Sequence, residues 1–185
     1  MRIIAGKFKG KKIGQPSLKV TRPTKDRIRE SVFNIVVGNL DTDTKFLDLF
    51  AGSGSFGCEA ISRGCAEAVF VDNNDECTHN INRNIALLGI QDETRVINGD
   101  VFAKIAYLGK KKEKFDLIFA DPPYKMDLAK KTLIMINQYD ILSTSGLLIV
   151  EHHRREDIPR SQGNVFLCKQ KTYKDIIISI YRGKW

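Results

Sequence analysis

Asp121-Pro122-Pro123-Tyr124 follows the apolar run Phe115 to Ala120 and places a carboxylate, a rigid turn and an aromatic ring within four residues. Proline cannot donate to a sheet ladder and restricts the residue before it, so the run reads as a buried strand halted abruptly. In open α/β sheets ligands bind outside the carboxyl ends of the strands. The set suits a flat, nitrogen-bearing ring: the ring can stack on Tyr124, and an exocyclic amine can donate to the Asp121 carboxylate and to a carbonyl held by the prolines.

A second group lies earlier. Asp48-Leu49-Phe50-Ala51-Gly52-Ser53-Gly54-Ser55-Phe56-Gly57 spaces its glycines as G-x-G-x-x-G, and Asp72 stands 20 residues after Gly52. Alone, this is a dinucleotide-binding fingerprint. Asp48 points elsewhere, because a carboxylate at the mouth repels a pyrophosphate and attracts the sulfonium and ammonium of S-adenosylmethionine. Asp72 is then expected to accept from the ribose hydroxyls. Asp100 is expected to accept from the adenine amine, with Val101 as an apolar contact. An N-cap role for Asp100, on a helix starting at Val101, is an equal and compatible reading.

The elements that must hold these groups alternate regularly from residue 45. Strands are expected at Lys45 to Leu49, Glu67 to Val71, Arg95 to Ile97, Phe115 to Ala120 and Leu147 to Val150, with helices near 55–63, 74–88, 101–108 and 127–138. This pattern predicts an α/β fold with a mostly parallel sheet covered on both faces. Val165 to Gln170 and Ile176 to Tyr181 close the chain as an antiparallel hairpin at the sheet edge, making seven strands. Before residue 45, Arg2 to Ala5 and Lys11 to Ile13 are expected as short strands of a small basic β-hairpin around Gly6-Lys7-Phe8-Lys9-Gly10. Thr24 then N-caps a helix whose apolar face is Ile28, Val32, Ile35 and Val36, with Arg27 and Arg29 off that stripe. The expected division is an N-terminal extension, 1–40, and a catalytic domain, 41–185.

The net charge of +8 is concentrated at one end: of 30 Lys and Arg against 22 Asp and Glu, the first 29 residues hold ten basic side chains and one acid, Asp26. The remainder carries 20 basic and 21 acidic residues. Localised charge of this kind is the footprint of a polyanion partner. Arg2, Lys7, Lys9, Lys11, Arg22, Arg27 and Arg29 are the candidate phosphate contacts. The four cysteines (Cys58, Cys65, Cys77, Cys168) show no Cys-x-x-Cys spacing and read as reduced structural thiols. His152 and His153 are adjacent, so on a strand they face opposite ways, and no metal site is expected. No segment is long and apolar enough to span a bilayer, and the start does not read as a signal peptide, so a cytoplasmic protein with no membrane partner is expected.

Asp48 to Gly57 resembles motif I of the class I S-adenosylmethionine-dependent methyltransferases, and Asp121 to Tyr124 resembles their (Asp/Asn)-Pro-Pro-(Tyr/Phe) motif, characteristic of amino-group methylation. Met1-Arg2-Ile3-Ile4-Ala5-Gly6-Lys7-Phe8-Lys9-Gly10, Arg22-Pro23-Thr24, Asp26 to Asn34 and Phe46 to Gly54 narrow the likeness to the RsmD-type 16S rRNA guanine-N2 methyltransferases. The resemblance covers essentially the whole chain. The N-terminal block is its most specific part, since the other two motifs are widely shared. It implies a Rossmann-like methyltransferase fold and methyl transfer to N2 of a guanine in bacterial small-subunit rRNA, typically guanine 966. S-adenosylhomocysteine is the implied product. The implied substrate is 16S rRNA, naked or within a small-subunit assembly intermediate; a monomer is expected. Cofactor contacts are implied for Asp48, Phe50, Ala51, Gly52, Ser53, Gly54, Gly57, Asp72, Asn73, Asp100, Val101 and Asp121. Catalytic roles are implied for Asp121, Pro122, Pro123 and Tyr124.

The alternatives are distinguishable. An NAD-dependent oxidoreductase would need a hydride-handling residue and a substrate domain, and neither is evident. A non-enzymatic RNA-binding module leaves three acids at one rim unexplained. DNA adenine-N6 and protein glutamine methyltransferases use Asn-Pro-Pro-Tyr-like motifs, whereas this chain begins the motif with Asp and shows no separate DNA-recognition domain.

Overall fold

A computed structural model describes residues 1–17, 24–124 and 127–184. Arg22 and the side chain of Thr24, expected to contact phosphate and to cap a helix, lie outside the described residues.

The chain enters through helix α1 (Thr24–Val36) and a short 3₁₀ turn, then alternates β1 (Lys45–Leu49), α2 (Ser55–Ser62), β2 (Glu67–Asp72), α3 (Asp75–Leu88), β3 (Thr94–Asn98), α4 (Val101–Lys110), β4 (Phe115–Ala120), α5 (Leu128–Gln138) and β5 (Leu142–His153). Three antiparallel strands follow: β6 (Ser161–Gln162), β7 (Val165–Tyr173) and β8 (Ile176–Gly183). They form one sheet of eight strands in the order β3-β2-β1-β4-β5-β8-β7-β6. The first five in that order are parallel, and β8 runs antiparallel to β5. From β1 the chain winds outward to β3 and returns to β4 on the other side of β1. A switch of direction of this kind opens a crevice at the carboxyl ends of the two strands.

The central strands β2, β1, β4 and the last half of β5 are buried on both faces, as in parallel sheets generally, whereas β3 is half-buried and β7 largely exposed. Side-chain alternation sorts the core into two layers. Phe46, Phe70, Leu117, Phe119 and Ile149 pack with α1, α2 and α3, whereas Leu47, Leu49, Val71, Ile118 and Leu148 pack with α4 and α5. The N-terminal residues share the first layer: Ile3, Phe8 and Ile13 are buried beside Phe33 and Phe56. The expected hairpin is reduced to a turn closed by a single antiparallel bridge, Arg2 to Lys12, in place of two strands, with Ile3 N donating to Lys11 O at 3.0 Å and Gly10 N to Ile3 O at 2.9 Å.

Two features of the sheet differ from expectation. Among the described residues it has eight strands rather than seven, because Ser161–Gln162 adds a two-residue strand beside Val165 and Phe166, too short to carry a hydrophobic period. Strand β5 begins at Leu142 rather than Leu147. Its early stretch Ser143-Thr144-Ser145-Gly146 is polar, and it crosses a register shift opposite Phe115 and Leu117. No helix among the described residues is long and apolar enough to cross a membrane.

Candidate active site at the carboxyl ends of the strands

The loop after β1 turns sharply into α2. Phe50, Gly52 and Gly54 all have positive φ (58°, 55° and 72°). At Gly54 a Cβ would also stand 2.9 Å from Ile81 Cγ1, so both conformation and space demand glycine. Gly57 is required by packing: its Cβ would lie 2.2 Å from Phe70 Cε1, and the Phe70 ring is fully buried. Gly57→Ala is therefore expected to destabilise the fold by about 1–3 kcal/mol through overpacking. Denaturant unfolding measures this, and an unchanged midpoint would contradict the close packing of α2 on β2.

Carboxylates hold the loop in shape. Asp72, 8% exposed at the end of β2, accepts from Gly52 N at 2.7 Å with Oδ2 and from Asn74 N at 2.9 Å with Oδ1. Each oxygen of an ionised carboxylate has about two acceptor sites, so these bonds leave capacity for further donors. Asp48, buried on the α2 face of β1, accepts from Gly57 N at 3.0 Å. That amide is one of the helix's unpaired N-terminal donors, where a negative charge is favourable. The Asn80 and Asn84 side chains of α3 donate to Ser53 O at 3.4 and 3.1 Å and to Gly14 O at 3.3 and 3.1 Å, fastening the loop to the N-terminal segment. Asn73 is exposed at the rim, whereas the neighbouring Asn74 caps α3 by accepting from Glu76 N and Cys77 N. Asp100 caps α4, accepting from Ala103 N at 2.8 Å, and remains exposed. Phe50 packs edge-on against Phe102, with ring centroids 6.0 Å apart.

Across the switch point, β4 ends at Ala120 and leads into Asp121, with Pro122 buried and Pro123 exposed. The Tyr124 hydroxyl donates to Glu151 Oε1 at 2.8 Å, and the ring meets His153 edge-on at 5.9 Å. Because Leu49 pairs with Ala120 and with Val71, the ends of β2, β1 and β4 lie side by side. The glycine loop and the Asp-Pro-Pro-Tyr corner therefore share one rim, which carries Asp72 and Asp121, and the pairing of Asp72 with Asn98 brings Asp100 to it; Asp48, expected at the mouth, is instead buried against the start of α2. The neighbouring His152 is buried and meets Ser179 Oγ at 2.8 Å through Nε2. Burial pushes its pKa below the ordinary value, which keeps the ring neutral and structural. Burial likewise pushes the Cys58 and Cys65 thiols up to about 12, so neither is a nucleophile at neutral pH.

A family model described as "Conserved hypothetical protein 95" matches residues 1–182. Ribosomal RNA small subunit methyltransferase D of Escherichia coli is 30% identical over 182 residues, spanning 98% of this chain and 89% of that protein. YlbH of Bacillus subtilis is 34% identical over 184 residues, the whole of both chains. The chain belongs to the RsmD-type methyltransferase family. The solved structure of yhhF from Escherichia coli superposes with a TM-score of 0.89 at 29% identity, covering 100% of this chain and 98% of that one.

Against that family background, the N-terminal arm divides unequally. Arg2, Lys7, Lys9, Lys11 and Arg27 are exposed, and the Lys7 and Lys11 ammonium groups stand 5.1 and 5.0 Å from the Phe8 ring centroid. Arg29 is a correction: expected on the polar side of α1 and against phosphate, it is fully buried. Its Nη2 donates to Arg2 O at 2.7 Å and to Asp26 Oδ1 at 3.1 Å, and its Nε lies 3.8 Å from Glu59 Oε2. The expected apolar contact from Val101 is also curtailed, since Val101 is only 4% exposed and packs inward with Ile105. Glu59 was not singled out from sequence. Its buried carboxylate accepts from Ile4 N at 2.8 Å, Ala5 N at 3.0 Å and Arg63 Nε at 2.7 Å. The available signal was a lone acid inside the otherwise uncharged helix segment Ser55-Phe56-Gly57-Cys58-Glu59-Ala60-Ile61-Ser62.

Proposed function

We propose that this methyltransferase uses S-adenosylmethionine to methylate the exocyclic N2 amine of a guanine in bacterial 16S rRNA. The observation that carries the reading is the Asp-Pro-Pro-Tyr corner at the end of β4, beside a glycine loop at the end of β1. Full-length similarity to ribosomal RNA small subunit methyltransferase D supports the choice of RNA.

The donor set at the rim fits the cofactor. Asp48 and Asp72 flank the loop with negative charge, which suits a sulfonium and an ammonium and disfavours a pyrophosphate. Asp72 has acceptor capacity for ribose hydroxyls, and Asp100 stands exposed for the adenine amine. Bound there, S-adenosylmethionine supplies an electrophilic methyl group and leaves as S-adenosylhomocysteine. The chain's own residues prepare the amine. The guanine N2 lone pair is delocalised into the ring; acceptors facing both amine hydrogens favour pyramidal nitrogen and localise the pair. The Asp121 carboxylate and the Pro122 carbonyl fill that role, and Tyr124 stacks on an extruded base. The proton that the amine gives up as it is methylated passes to the Asp121 carboxylate that faces it, and the remaining contribution is positioning for in-line transfer.

Asp72→Ala removes an acceptor from the ribose and two bonds that shape the loop. Of those two bonds, the one from Gly52 N holds the glycine loop and the one from Asn74 N holds the turn into α3; S-adenosylhomocysteine binding is expected to weaken by about 10- to 100-fold, since a hydrogen bond to a charged group contributes roughly 1.5–3 kcal/mol. Calorimetry reads this directly, and wild-type protein should bind S-adenosylhomocysteine but not NADH. The exposed Arg2, Lys7, Lys9, Lys11 and Arg27 are assigned to rRNA phosphates, acting from a monomer on 16S rRNA or on an assembly intermediate. Reversing Lys7 and Lys9 to Glu should lower rRNA affinity and flatten its salt dependence by about one unit of log-log slope per lost phosphate contact. An unchanged slope would assign the arm to solubility alone. The reading as a whole is tested by incubating the protein with 16S rRNA and methyl-labelled S-adenosylmethionine, then digesting to nucleosides. Label in N2-methylguanosine is expected, and label in N6-methyladenosine or in no nucleoside would overturn it.

A further inference from the structure

Beyond residue 29 the chain is nearly neutral, yet its C-terminal hairpin is not: between Val165 and Ile176 it carries Lys169, Lys171 and Lys174 against the single acid Asp175. All three lysines are exposed, and the Asp175 carboxylate is taken by Arg154, whose Nε stands 3.1 Å away. The register fixes where these charges lie. Ile180, Ile178 and Ile176 of β8 belong to the core layer that α1 covers, and they pair in turn with Lys169, Lys171 and Tyr173 of β7. Directly opposed side chains of an antiparallel pair share a face, so Lys169 and Lys171 stand on the α1 side of the sheet.

Two contacts tie this strand to α1. The Tyr173 and Ser31 hydroxyls are hydrogen-bonded, and Lys171 Nζ donates to Ser31 Oγ at 3.3 Å. Ser31 lies one helical turn from the exposed Arg27, and the buried Arg29 of the same helix holds Arg2 O of the arm. Basic side chains therefore run from the arm across α1 to β7 on one face. Glu30 is also exposed on α1, which leaves the positive excess of this face to the arm and the hairpin.

The turn of the hairpin comes to the catalytic rim. Strand β8 is antiparallel to β5, and His153 pairs with Ile176, which pairs with Tyr173. Arg154 N donates to Asp175 O at 2.8 Å, fastening the turn to the end of β5. Adjacent strands lie about 4.8 Å apart, so Tyr173 is roughly 10 Å across the sheet from His153, whose ring meets Tyr124.

We propose that the β7–β8 hairpin is a second RNA-binding surface, where Lys169, Lys171 and Lys174 neutralise backbone phosphates on the side of the target guanine away from the glycine loop. The proposal rests on the rRNA reading above. Charge selects the partner: exposed ammonium groups with no acid among them suit a polyanion, which releases counterions on binding. Lysines on an exposed strand also discourage edge-to-edge pairing. Glutamate serves that protection as well, whereas phosphate binding depends on the sign of the charge.

The test is 16S rRNA binding as a function of salt by Lys169→Glu/Lys171→Glu and by Lys169→Glu/Lys174→Glu, the second of which keeps the contact of Lys171 with Ser31. Lys110→Glu/Lys111→Glu is the control, making the same change in net charge on exposed lysines at the opposite, amino end of β4. Both hairpin variants are expected to bind rRNA about 10-fold or more weakly and to flatten the log-log salt slope by about two units, one for each lost phosphate contact. Their S-adenosylhomocysteine affinity should be unchanged, and methylation should suffer in KM for rRNA rather than in kcat. The control should leave the slope as in wild-type protein. An unchanged slope in the hairpin variants, or a loss equal to that of the control, assigns the lysines to edge protection or to general charge and overturns the proposal. A loss confined to Lys169→Glu/Lys171→Glu assigns the effect to the Ser31 contact and overturns it as well. If wild-type protein neither binds nor methylates 16S rRNA, the rRNA reading itself fails and the proposal fails with it.

Discussion

Asp121→Ala is expected to lower the rate of methyl transfer by about 10³-fold while S-adenosylhomocysteine binds almost as tightly as before. The size follows from removing a preorganised acceptor aimed at charge that develops only in the transition state, which costs on the order of 10²–10³ in kcat. Binding survives because the glycine loop is shaped from the other side of the switch point, by Asp72 on Gly52 N and Asp48 on Gly57 N. Asp121→Asn separates the chemical role from a turn-forming one, since the amide keeps a carbonyl acceptor but loses the charge. It should recover part of the lost activity. Single-turnover kinetics with calorimetry on the same preparations checks both halves, and full turnover by the alanine variant would remove Asp121 from the mechanism.

Glu59→Ala carries the largest expected effect on stability. One buried carboxylate receives the Ile4 and Ala5 amides of the N-terminal arm, pairs with Arg63 and lies 3.8 Å from the buried Arg29 guanidinium. Burial already lowers the pKa of Arg29, opposed by the charges of Asp26 and Glu59. Deleting Glu59 strands a buried cation and two amides, a change that costs about 3–5 kcal/mol when one member of a buried pair is removed. Asp26, which also holds Arg29, keeps the value toward the lower end. For a chain of this size that corresponds to a fall in Tm of roughly 10 °C. The variant should also show faster proteolysis within the first 17 residues than elsewhere, because the bonds lost are those that dock the arm on α2. Thermal unfolding with limited proteolysis decides it, and an unchanged Tm would mean the arm is held by Ile3, Phe8 and Ile13 alone.

The parts of the site readable from sequence are those whose chemistry is contiguous. The glycine loop packs its turn, its helix start and its leading acid into ten residues, and Asp121 to Tyr124 carries its acceptor and ring in four. The cap at Asp100 was readable because an acid just before a helix at a strand-to-helix turn is a favoured N-cap. Arg29 was not readable: its place on α1 looks polar, and besides the nearby Asp26 its burial depends on the docking of Arg2 and on Glu59, 30 residues away in the chain. The two-residue strand β6 and the polar beginning of β5 escaped for a related reason, since pairing with β7 and β4 holds them in place of any period of their own.

The most direct measurement is mass mapping of 16S rRNA from a strain lacking this protein, complemented with wild-type protein or with Asp121→Ala. Loss of a single N2-methylguanine in the deletion, restored by wild-type protein and not by Asp121→Ala, is the predicted result. An unaltered methylation map, or restoration by Asp121→Ala, would contradict the assignment of this rim to guanine N2.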